Sequence, residues 1–311
     1  MRKLGTEALS PGTWFGLNRP GTAEEENDVV LFGIPFDGGV SYRGGAAEAP
    51  ARLRANTDHA TPCTESLDYY KEFRVLDVGD FQAETREELF REVETYTESL
   101  VRRGIPFTMI GGDHSVTIPV QKGVDAALTE PFGIIHIDAH FDLCDALEGD
   151  PLSHGSTERR ALDLKNVAST ENLYFIGIRS IEEDEFAFSR THKVQVRTAR
   201  ECFEQGIEAV AEDCIRAMGQ FGKIYLTFDI DALDPAYAGG TGTPQAGGLT
   251  SRMALYLLRR IFTELPVIGF DIVEIAPALD DSLASMYAGR KLLTEAWGVW
   301  AEKAGKLESF R

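Results

Sequence analysis

The sequence predicts an α/β protein with a mainly parallel sheet and helices on both faces. Short runs rich in β-branched residues recur along the chain, and helical patterns lie between several of them. Such runs are typical of buried strands, and their alternation with helices is typical of a parallel sheet. Sheets of this kind bind ligands beyond the carboxyl ends of their strands, so polar motifs that follow strands are the functional candidates.

Seven runs are predicted as strands. They are Val29 to Pro35, Val75 to Asp80, Pro106 to Gly111, Gly133 to Asp138, Tyr174 to Arg179, Lys223 to Asp229 and Val267 to Glu274. The helical pattern is clearest from Thr85 to Arg103, where Thr85 and Glu88 match a capping box and Gly104 follows the last turn.

Composition predicts one globular domain. Apolar residues make up 43% and charged residues 26% of the 311 residues, which is typical of folded proteins. No repeat, low-complexity tract or long linker divides the chain. We expect an irregular N-terminal arm over residues 1–28 and a single domain over residues 29–311.

The charge balance argues against some partners. The chain has 31 Lys and Arg against 50 Asp and Glu, a formal net charge of -19. Such a surface repels nucleic acid and anionic membranes and attracts cations, although its main role is expected to be solubility. Neither nucleic acid nor a membrane is therefore expected as a partner, and the small-molecule substrate is inferred from the site residues.

The cysteines and the N-terminus favour the cytoplasm. The four cysteines form no C-x-x-C pair and are too few to staple a chain of this length. No run approaches membrane-spanning length, and the N-terminus lacks an export signal pattern. We expect a cytoplasmic protein with reduced thiols.

The strongest functional signal is the segment Gly133 to Asp142, in which an apolar run ends in carboxylate, imidazole and carboxylate at alternate positions. Asp138, His140 and Asp142 share one face of an extended chain, because alternate side chains point the same way. Three such groups are costly to bury without a charged partner. The segment therefore predicts a cation site.

Two further strands end in similar residues. The run Lys223 to Asp229 is followed by Asp231, on the same face as Asp229. The run Pro106 to Ile110 leads through two glycines, which permit a tight turn, to His114. The six candidate metal ligands are His114, Asp138, His140, Asp142, Asp229 and Asp231.

The charges of this set predict two divalent cations. Four carboxylates carry four negative charges and neutral imidazoles carry none, so two divalent ions would bring the cluster to zero. Oxygen and nitrogen donors without thiolate suit Mn²⁺, with Mg²⁺, Ni²⁺, Fe²⁺ or Zn²⁺ as alternatives. We expect two Mn²⁺ per chain.

These residues and their neighbours also have purely structural interpretations. A single Asp-x-Asp after a strand is often only a turn or a cap, but three such clusters favour a metal site. His136 shares the parity of Asp138, so periodicity leaves open whether it is a ligand or packs near the ligands; we favour packing. Cys144 is expected to be a small buried residue. His59 and His192 are expected at the surface.

With these motifs, the sequence resembles the ureohydrolases, the family of arginases, agmatinases and formimidoylglutamases. The resemblance runs from about Val29 to Trp297. The motifs that carry it are Gly33 to Asp37, Gly111 to Ser115, Asp138 to Asp142, Phe228 to Pro235, Gly240 to Pro244 and Asp271 to Pro277. It implies an arginase-like three-layer α/β/α domain with about eight strands.

The resemblance also implies how the ligands are shared. Asp138 and Asp229 would bridge two manganese ions. His114 and Asp142 would complete one metal site, and His140 and Asp231 would complete the other. In the family, a hydroxide between the metals attacks the guanidinium carbon, and urea and an amine leave.

Roles for four residues follow from the resemblance. Glu274 would pair with the substrate guanidinium through charge-assisted hydrogen bonds. His154 would bind substrate and shuttle protons, because a free imidazole titrates near neutrality. Asp142 would be a catalytic residue as well as a metal ligand, and Thr243 would bind the substrate.

Agmatine, which would give putrescine and urea, is the favoured substrate. Arg43 to Gly45 and Gly240 to Pro244 look more like agmatinases than arginases. The segment Leu143 to Asp145 lacks the asparagine with which arginases engage an amino-acid head group. Phe141 and Ala49 depart from agmatinases, which usually have Ser or Thr and Gly there, and formimidoylglutamases often share the Phe.

Several alternatives stay open. The substrate could be guanidinobutyrate, another guanidino acid, guanidine or formimidoylglutamate, and an anionic tail would need a basic residue such as Arg43 or Arg159. A catalytically idle metal-binding homologue is disfavoured by the full ligand set. A deacetylase relative would use one metal, so a stoichiometry near one per chain would favour it. A homo-oligomer, trimer or hexamer, is expected by analogy with relatives.

Overall fold

The computed structural model describes residues 13–57 and 60–310. The strands within them are β1 (Val29–Gly33), β2 (Val75–Asp80), β3 (Phe107–Ile110), β4 (Gly133–Ile137), β5 (Leu173–Ile178), β6 (Gln195–Thr198), β7 (Ile224–Asp229) and β8 (Val267–Val273). They form one sheet in the order β2-β1-β3-β8-β7-β4-β5-β6, and every pairing is parallel. The predicted parallel sheet of about eight strands is confirmed.

Helices cover both faces of this sheet. Within the described ranges they are α1 (Ala49–Ala55), α2 (Arg86–Arg102), α3 (Thr117–Ala127), α4 (Thr157–Ala161), α5 (Glu183–Thr191), α6 (Ala199–Gln205), α7 (Ile207–Met218), α8 (Ser251–Glu264) and α9 (Ala284–Lys303). None of these helices combines the length and apolar character needed to cross a bilayer.

Each face of the sheet has its own apolar core. In β1, Val29 and Leu31 enter one core and Val30 and Phe32 enter the other, because successive side chains of a strand point to opposite faces. Helices α1 and α6 to α9 contribute to the first core, and α2, α3 and α4 contribute to the second. The three-layer α/β/α arrangement is thus confirmed.

The seven predicted runs are all observed as strands, with some ends shortened by one or two residues. The additional strand β6 was not predicted. It lies at the edge of the sheet, and its four residues are only half-buried. An edge strand with Gln195 and Arg197 lacks the apolar run that marks a central parallel strand.

The predicted helix over Thr85 to Arg103 corresponds to α2. Thr85 caps it by accepting a hydrogen bond from the backbone N–H of Glu88 (3.2 Å), which is one half of the predicted capping box. Gly104 follows the last turn with a φ of 69°, a conformation that glycine adopts readily. The sequence signals therefore located both ends of the helix.

The N-terminal segment packs against the domain over its described part. Residues 1–12 of the predicted arm and His59 lie outside the described residues, whereas His192 is exposed, as expected. Between residues 13 and 28 the chain forms two single 3-10 turns. The buried Trp14 ring stands edge-on to Trp297 at 5.6 Å, so this segment completes part of the core.

A buried ion network ties α1 to β2. Nε and Nη2 of Arg54 donate to the two carboxylate oxygens of Asp77 (2.7 and 3.0 Å), and Nη1 donates to Asp80 (2.5 Å). The indole N–H of Trp14 also donates to Asp77 (2.6 Å). Arg54 and Asp77 are both 2% exposed, so each charge depends on the other for compensation.

We predict that Arg54→Met lowers the free energy of unfolding by about 3–5 kcal/mol, because it leaves the Asp77 carboxylate buried without its cation. Arg52→Met is the matched control on the same helix. The Arg52 side chain is 61% exposed and pairs with Glu48, so its loss should change stability by less than about 1 kcal/mol. Urea denaturation with a chelator present measures both, and equal losses would contradict the assignment.

Candidate metal centre and its cavity

Four neighbouring strands at the centre of the sheet, β3, β8, β7 and β4, carry the predicted site residues at their carboxyl ends. His114 follows β3, the segment Asp138 to Asp142 follows β4, and Glu274 follows β8. Asp229 is the last residue of β7 and Asp231 lies in the turn after it. The fold therefore brings together residues that are up to 160 positions apart in the chain.

Backbone N–H groups orient three of the four carboxylates. Asp138 Oδ1 accepts from His140 (2.6 Å), Asp229 Oδ1 accepts from Asp231 (2.7 Å), and Asp231 Oδ1 accepts from Ala139 (3.2 Å). The second oxygen of each lies 3.0, 3.3 and 3.2 Å, respectively, from a histidine ring nitrogen. One oxygen of each carboxylate is thus anchored while the other points into the cluster.

The first ligand group surrounds Nδ1 of His114. Carboxylate oxygens of Asp138, Asp142 and Asp229 lie 3.0, 3.1 and 3.3 Å from this nitrogen. Yet the nitrogen and the Oδ2 atoms of Asp138 and Asp142 are buried without a hydrogen-bond partner among the described residues. Buried polar atoms rarely lack partners, and this convergence of nitrogen and oxygen donors fits a divalent cation.

The second ligand group shares Asp138 with the first. Ligand atoms of Asp138, His140 and Asp231 lie within 4.8 Å of one another. Nδ1 of His140 is 3.2 Å from Asp231 Oδ2 and 3.4 Å from Asp138 Oδ1. Two adjacent groups joined by one carboxylate, both without sulfur donors, are the arrangement expected for a pair of hard or intermediate cations.

Crowding of the carboxylates changes their proton affinities. Burial, reinforced by the charges of Asp231 and Asp138, raises the pKa of Asp229 well above its usual range. Burial lowers the pKa of His140, but the carboxylates of Asp231 and Asp138 outweigh this effect and raise it to about 12. Protons and metal ions therefore compete for the same atoms, and metal binding should release protons.

His136 lies below the cluster, stacked on the His114 ring at 5.0 Å. Its Nδ1 is 3.1 Å from Glu158 Oε1, and its Nε2 is 3.1 Å both from the carbonyl oxygen of His140 and from Asp138 Oδ2. Burial lowers the pKa of His136, but the two carboxylates raise it to about 10. A ligand atom of His136 also lies within 4.8 Å of those of His114, Asp138 and Asp142. Both ring nitrogens face oxygen acceptors, however, and this favours packing over ligation.

Glu274 and His154 form the other half of the site. Glu274 Oε1 accepts from the backbone N–H of His114 and from Nδ1 of His154, both at 2.9 Å. Nε2 of His154 accepts from the backbone N–H of Ser41 (3.1 Å) and lies 2.8 Å from the Ser41 hydroxyl. His154 is therefore held on both sides, in contrast to the free loop imidazole on which its predicted role was based.

Opposing influences set the protonation of His154. Burial lowers its pKa, but the hydrogen bond and charge of Glu274 outweigh burial and raise the pKa to about 9. The Ser41 backbone N–H acts against protonation, because it points its hydrogen at Nε2. Bound cations in the neighbouring ligand groups would also favour the neutral ring.

Asp113 fixes the loop that carries Ser41. Its Oδ2 accepts from the backbone N–H of Gly39 (2.7 Å), and its Oδ1 accepts from that of Ser115 (2.9 Å). The carbonyl oxygen of Gly39 in turn accepts from the backbone N–H of His154 (3.0 Å). The Asp113 carboxylate thus holds the loop after β1, and the Gly39 carbonyl joins that loop to the one that carries His154.

Two site residues have strained backbone conformations. Asp142 has a φ of 55° and Glu274 a φ of 63°, in the left-handed region where such residues cost about 1–3 kcal/mol each. The carbonyl of Asp142 accepts from the N–H groups of Glu158 and Arg159 (2.9 and 3.0 Å). The N–H of Glu274 donates to Gly112 (2.8 Å). These bonds hold the strained conformations that aim both carboxylates at the site.

The cluster forms the floor of a cavity of about 500 Å³. The predicted site residues that line it are His114, His140, Asp142, His154, Asp229 and Thr243. The Thr243 hydroxyl donates to Asp231 Oδ2 (3.3 Å), so this predicted substrate-binding residue also contacts a candidate ligand. A small molecule that enters the cavity would therefore meet the ligand groups directly.

The wall above the floor carries both signs of charge. Arg43, Glu182 and Glu185 line it, whereas Arg159 is not among the lining residues. The guanidinium of Arg43 donates to the backbone carbonyls of Gly242 and Thr241 (3.2 and 3.1 Å). Arg43 and Arg159 are the two basic residues considered as partners of an anionic tail. Of these two, Arg43 reaches the cavity.

Cys144 and Phe141 are both buried but lie in different surroundings. Cys144 is 2% exposed, as expected, and also lines the cavity, where its thiol donates to Asp184 (3.4 Å). Phe141 packs in the apolar core, edge-on to Phe175 at 5.3 Å. The departure from the agmatinase pattern at Phe141 therefore lies in the core rather than at the cavity surface.

Sequence reasoning missed several residues that shape the site. Arg179 donates to the carbonyl oxygens of Asp231 (2.6 Å) and Gln245 (2.8 Å), which ties the ligand turn after β7 to the cavity wall. Thr227 and Asp271 are buried polar residues inside β7 and β8. Polar residues within otherwise apolar strands were the signal that could have revealed these two.

Comparison with known proteins agrees with the site. The model of the Arginase family matches residues 27–298. The chain is 35% identical to the agmatinase of Bacillus anthracis over 89% of this chain and 93% of that protein. It is also 35% identical to the mitochondrial guanidino acid hydrolase of Homo sapiens, over 88% of this chain and 78% of that protein.

A solved structure of a related hydrolase also matches this chain. The proclavaminate amidino hydrolase from Streptomyces clavuligerus matches with a TM-score of 0.81 at 31% identity, covering 93% of this chain and 96% of that one. The family resemblance predicted from the motifs is confirmed. The chain therefore belongs to the arginase family and is a ureohydrolase.

Proposed function

We propose that the protein is a metal-dependent hydrolase that releases urea from agmatine. The observation that carries this proposal is the pair of ligand groups that share Asp138 on the floor of the cavity. Glu274 and His154 lie directly beside them. The site thus combines candidate cation ligands, a carboxylate for a guanidinium group and an imidazole for proton transfer.

The six candidate ligands fit two Mn²⁺, with Ni²⁺ as the alternative. Nδ1 of His114 and the Oδ2 atoms of Asp138 and Asp142 are buried without a hydrogen-bond partner among the described residues, and no thiolate is in the set. When bound, such ions would supply a water molecule activated for attack at neutral pH. In this proposal Asp138 and Asp229 belong to both metal sites.

Glu274 would orient the substrate. Its Oε1 is occupied by two N–H donors, whereas no hydrogen bond from the described residues reaches its Oε2. A guanidinium group presents N–H donors in a planar fork that suits a carboxylate oxygen in this position. Because Glu274 also accepts from the His114 backbone, the bound guanidinium would lie next to the first ligand group.

His154 would hold and transfer a proton. Nδ1 donates to Glu274 and Nε2 faces the backbone N–H of Ser41, so the transferable hydrogen of the ring lies on Nδ1. As negative charge on Glu274 is shared with a substrate guanidinium, that N–H becomes available to the departing amine. A proton from water in the cavity, which Ser41 lines, would reach Nε2 through the Ser41 hydroxyl 2.8 Å away, so that neither Ser41 nor the ring is left deprotonated.

A cationic tail is favoured by the charges of the outer cavity. Glu182 is exposed at the wall, and within the described part of the chain no basic side chain pairs with it. Both oxygens of Glu185 accept backbone N–H groups, from Leu143 (2.8 Å) and Glu182 (2.9 Å). Glu182 is therefore the carboxylate available to the free ammonium group of agmatine.

The position of Phe141 also bears on the substrate. A Phe at this position is shared with formimidoylglutamases, but it is weak evidence for their substrate, because the ring packs against Phe175 in the core. Ala49, the other departure, is buried at the start of α1. Neither residue belongs to the cavity lining, so neither argues against agmatine.

A guanidino acid is the second candidate substrate. Arg43 lines the cavity, and two of its guanidinium nitrogens are engaged by backbone carbonyls, which leaves Nη1 for a carboxylate tail. The guanidino acid hydrolase of Homo sapiens is as similar to this chain as the agmatinase of Bacillus anthracis. Guanidinobutyrate is the substrate that tests this alternative.

Two further expectations stay proposals. The four cysteines are unpaired, and three of them are buried, which is consistent with a reducing cytoplasm. A homo-oligomer, trimer or hexamer, is proposed by analogy with the family.

We predict that protein stripped with a chelator is inactive and that Mn²⁺ restores turnover, with the highest kcat/KM for agmatine. The panel includes arginine, guanidinobutyrate and guanidine, assayed by urea release, and formimidoylglutamate, assayed by formamide release. Ni²⁺ serves as the second metal. A preference for guanidinobutyrate would replace agmatine by a guanidino acid, and no turnover of any substrate with either metal would indicate an idle homologue.

We predict that Glu182→Gln raises the KM for agmatine by about two- to fivefold, the effect of losing an exposed ion pair, with kcat unchanged. The KM for guanidinobutyrate should not rise, since its tail carries no ammonium group. Glu183→Gln is the matched control, because Glu183 is exposed next to Glu182 but does not line the cavity. Equal KM changes in the two variants would show that Glu182 does not contact the tail.

A further inference from the structure

The outer edge of the His114 ring faces the interior of the sheet. Its Nδ1 points to the ligand carboxylates, whereas its Nε2 lies 2.8 Å from the hydroxyl of Thr227. Thr227 belongs to β7 and is fully buried. The hydrogen bond therefore forms where water does not compete for the ring nitrogen.

The Thr227 hydroxyl also forms a hydrogen bond with Asp271. The two residues are direct partners in the register of β7 and β8, and the Thr227 hydroxyl donates to Asp271 Oδ1 (2.6 Å). The other oxygen of Asp271 accepts from the hydroxyls of Thr117 (2.9 Å) and Tyr225. Asp271 is fully buried and is surrounded by three hydroxyl donors.

The direction of these bonds fixes the tautomer of His114. A threonine hydroxyl has one hydrogen, and Thr227 gives it to Asp271. The oxygen of Thr227 can then only accept from the ring, so Nε2 of His114 must carry the hydrogen. Nδ1 is left with its lone pair towards the carboxylates, which is the form that binds a cation.

We propose that Asp271 is a positioning residue that acts through Thr227 to hold His114 in its metal-binding tautomer. The proposal rests on the metal centre of the proposed function and assigns this role to a residue that touches neither ligand atoms nor the cavity. It concerns the first ligand group alone, because the described contacts of Thr227 and Asp271 do not include His140 or Asp231.

Thr227→Val tests the relay with little change in volume. Without the hydroxyl, the ring of His114 loses its acceptor and is free to place its hydrogen on Nδ1. One Mn²⁺ should therefore bind about 10–100-fold more weakly, the usual effect of removing such a partner, while the other keeps its affinity. Titration of chelator-stripped protein with Mn²⁺, followed by calorimetry and by the electron paramagnetic resonance of free Mn²⁺, measures both sites.

Matched variants separate this role from general damage to the fold. Thr227→Ser keeps the hydroxyl and should restore both affinities, and Asp271→Asn should weaken the same single site. Thr117→Val removes a donor from the other oxygen of Asp271 and should leave both sites as in the wild type. In a His114→Ala background, Thr227→Val should have no further effect on metal binding, because its target is gone.

The outcomes distinguish two failures. Wild-type protein that takes up no pair of Mn²⁺ ions would overturn the metal centre itself. Wild-type protein with two sites and a Thr227→Val variant with the same two affinities would overturn the role of Asp271 and Thr227 alone. Equal weakening of both sites, or weakening in Thr117→Val as large as in Thr227→Val, would also overturn it, since only a structural effect would then remain.

Discussion

The mutual repulsion of four buried aspartates is the main physical constraint on the site. Asp138, Asp142, Asp229 and Asp231 are at most 5% exposed, and their charges converge on two histidine nitrogens. Burial of unpaired charge is strongly unfavourable, so such a cluster is stable only with protons or with cations. The raised pKa values of Asp229 and His140 favour the first solution, and the two ligand groups that share Asp138 provide for the second.

The parallel sheet makes this concentration of charge possible. Its four central strands end side by side, and backbone N–H groups of the following turns anchor one oxygen of three carboxylates. Arg179 adds a positive charge outside the ligand groups while it binds the carbonyl oxygens of the turn after β7. The strained conformations at Asp142 and Glu274 indicate that geometry at the site is held by the surrounding fold.

Features with local causes could be predicted from the sequence. The alternate spacing from Asp138 to Asp142 identified three candidate ligands, and apolar runs identified the central strands, because both depend on a few consecutive residues. The edge strand β6 lacks such a run. The contact between Thr227 and Asp271 requires the order of the strands, and periodicity could not decide the role of His136, which depends on the contacts of both its ring nitrogens.

Anomalous diffraction from crystals grown with Mn²⁺ would locate the ions that the carboxylate cluster requires. A two-metal centre should give two peaks per chain, roughly 3.5–4 Å apart as in other two-metal sites. One peak should lie beside Nδ1 of His114, the other beside Nδ1 of His140, and Asp138 should contact both. A single peak, or none at these residues, would contradict a two-metal centre.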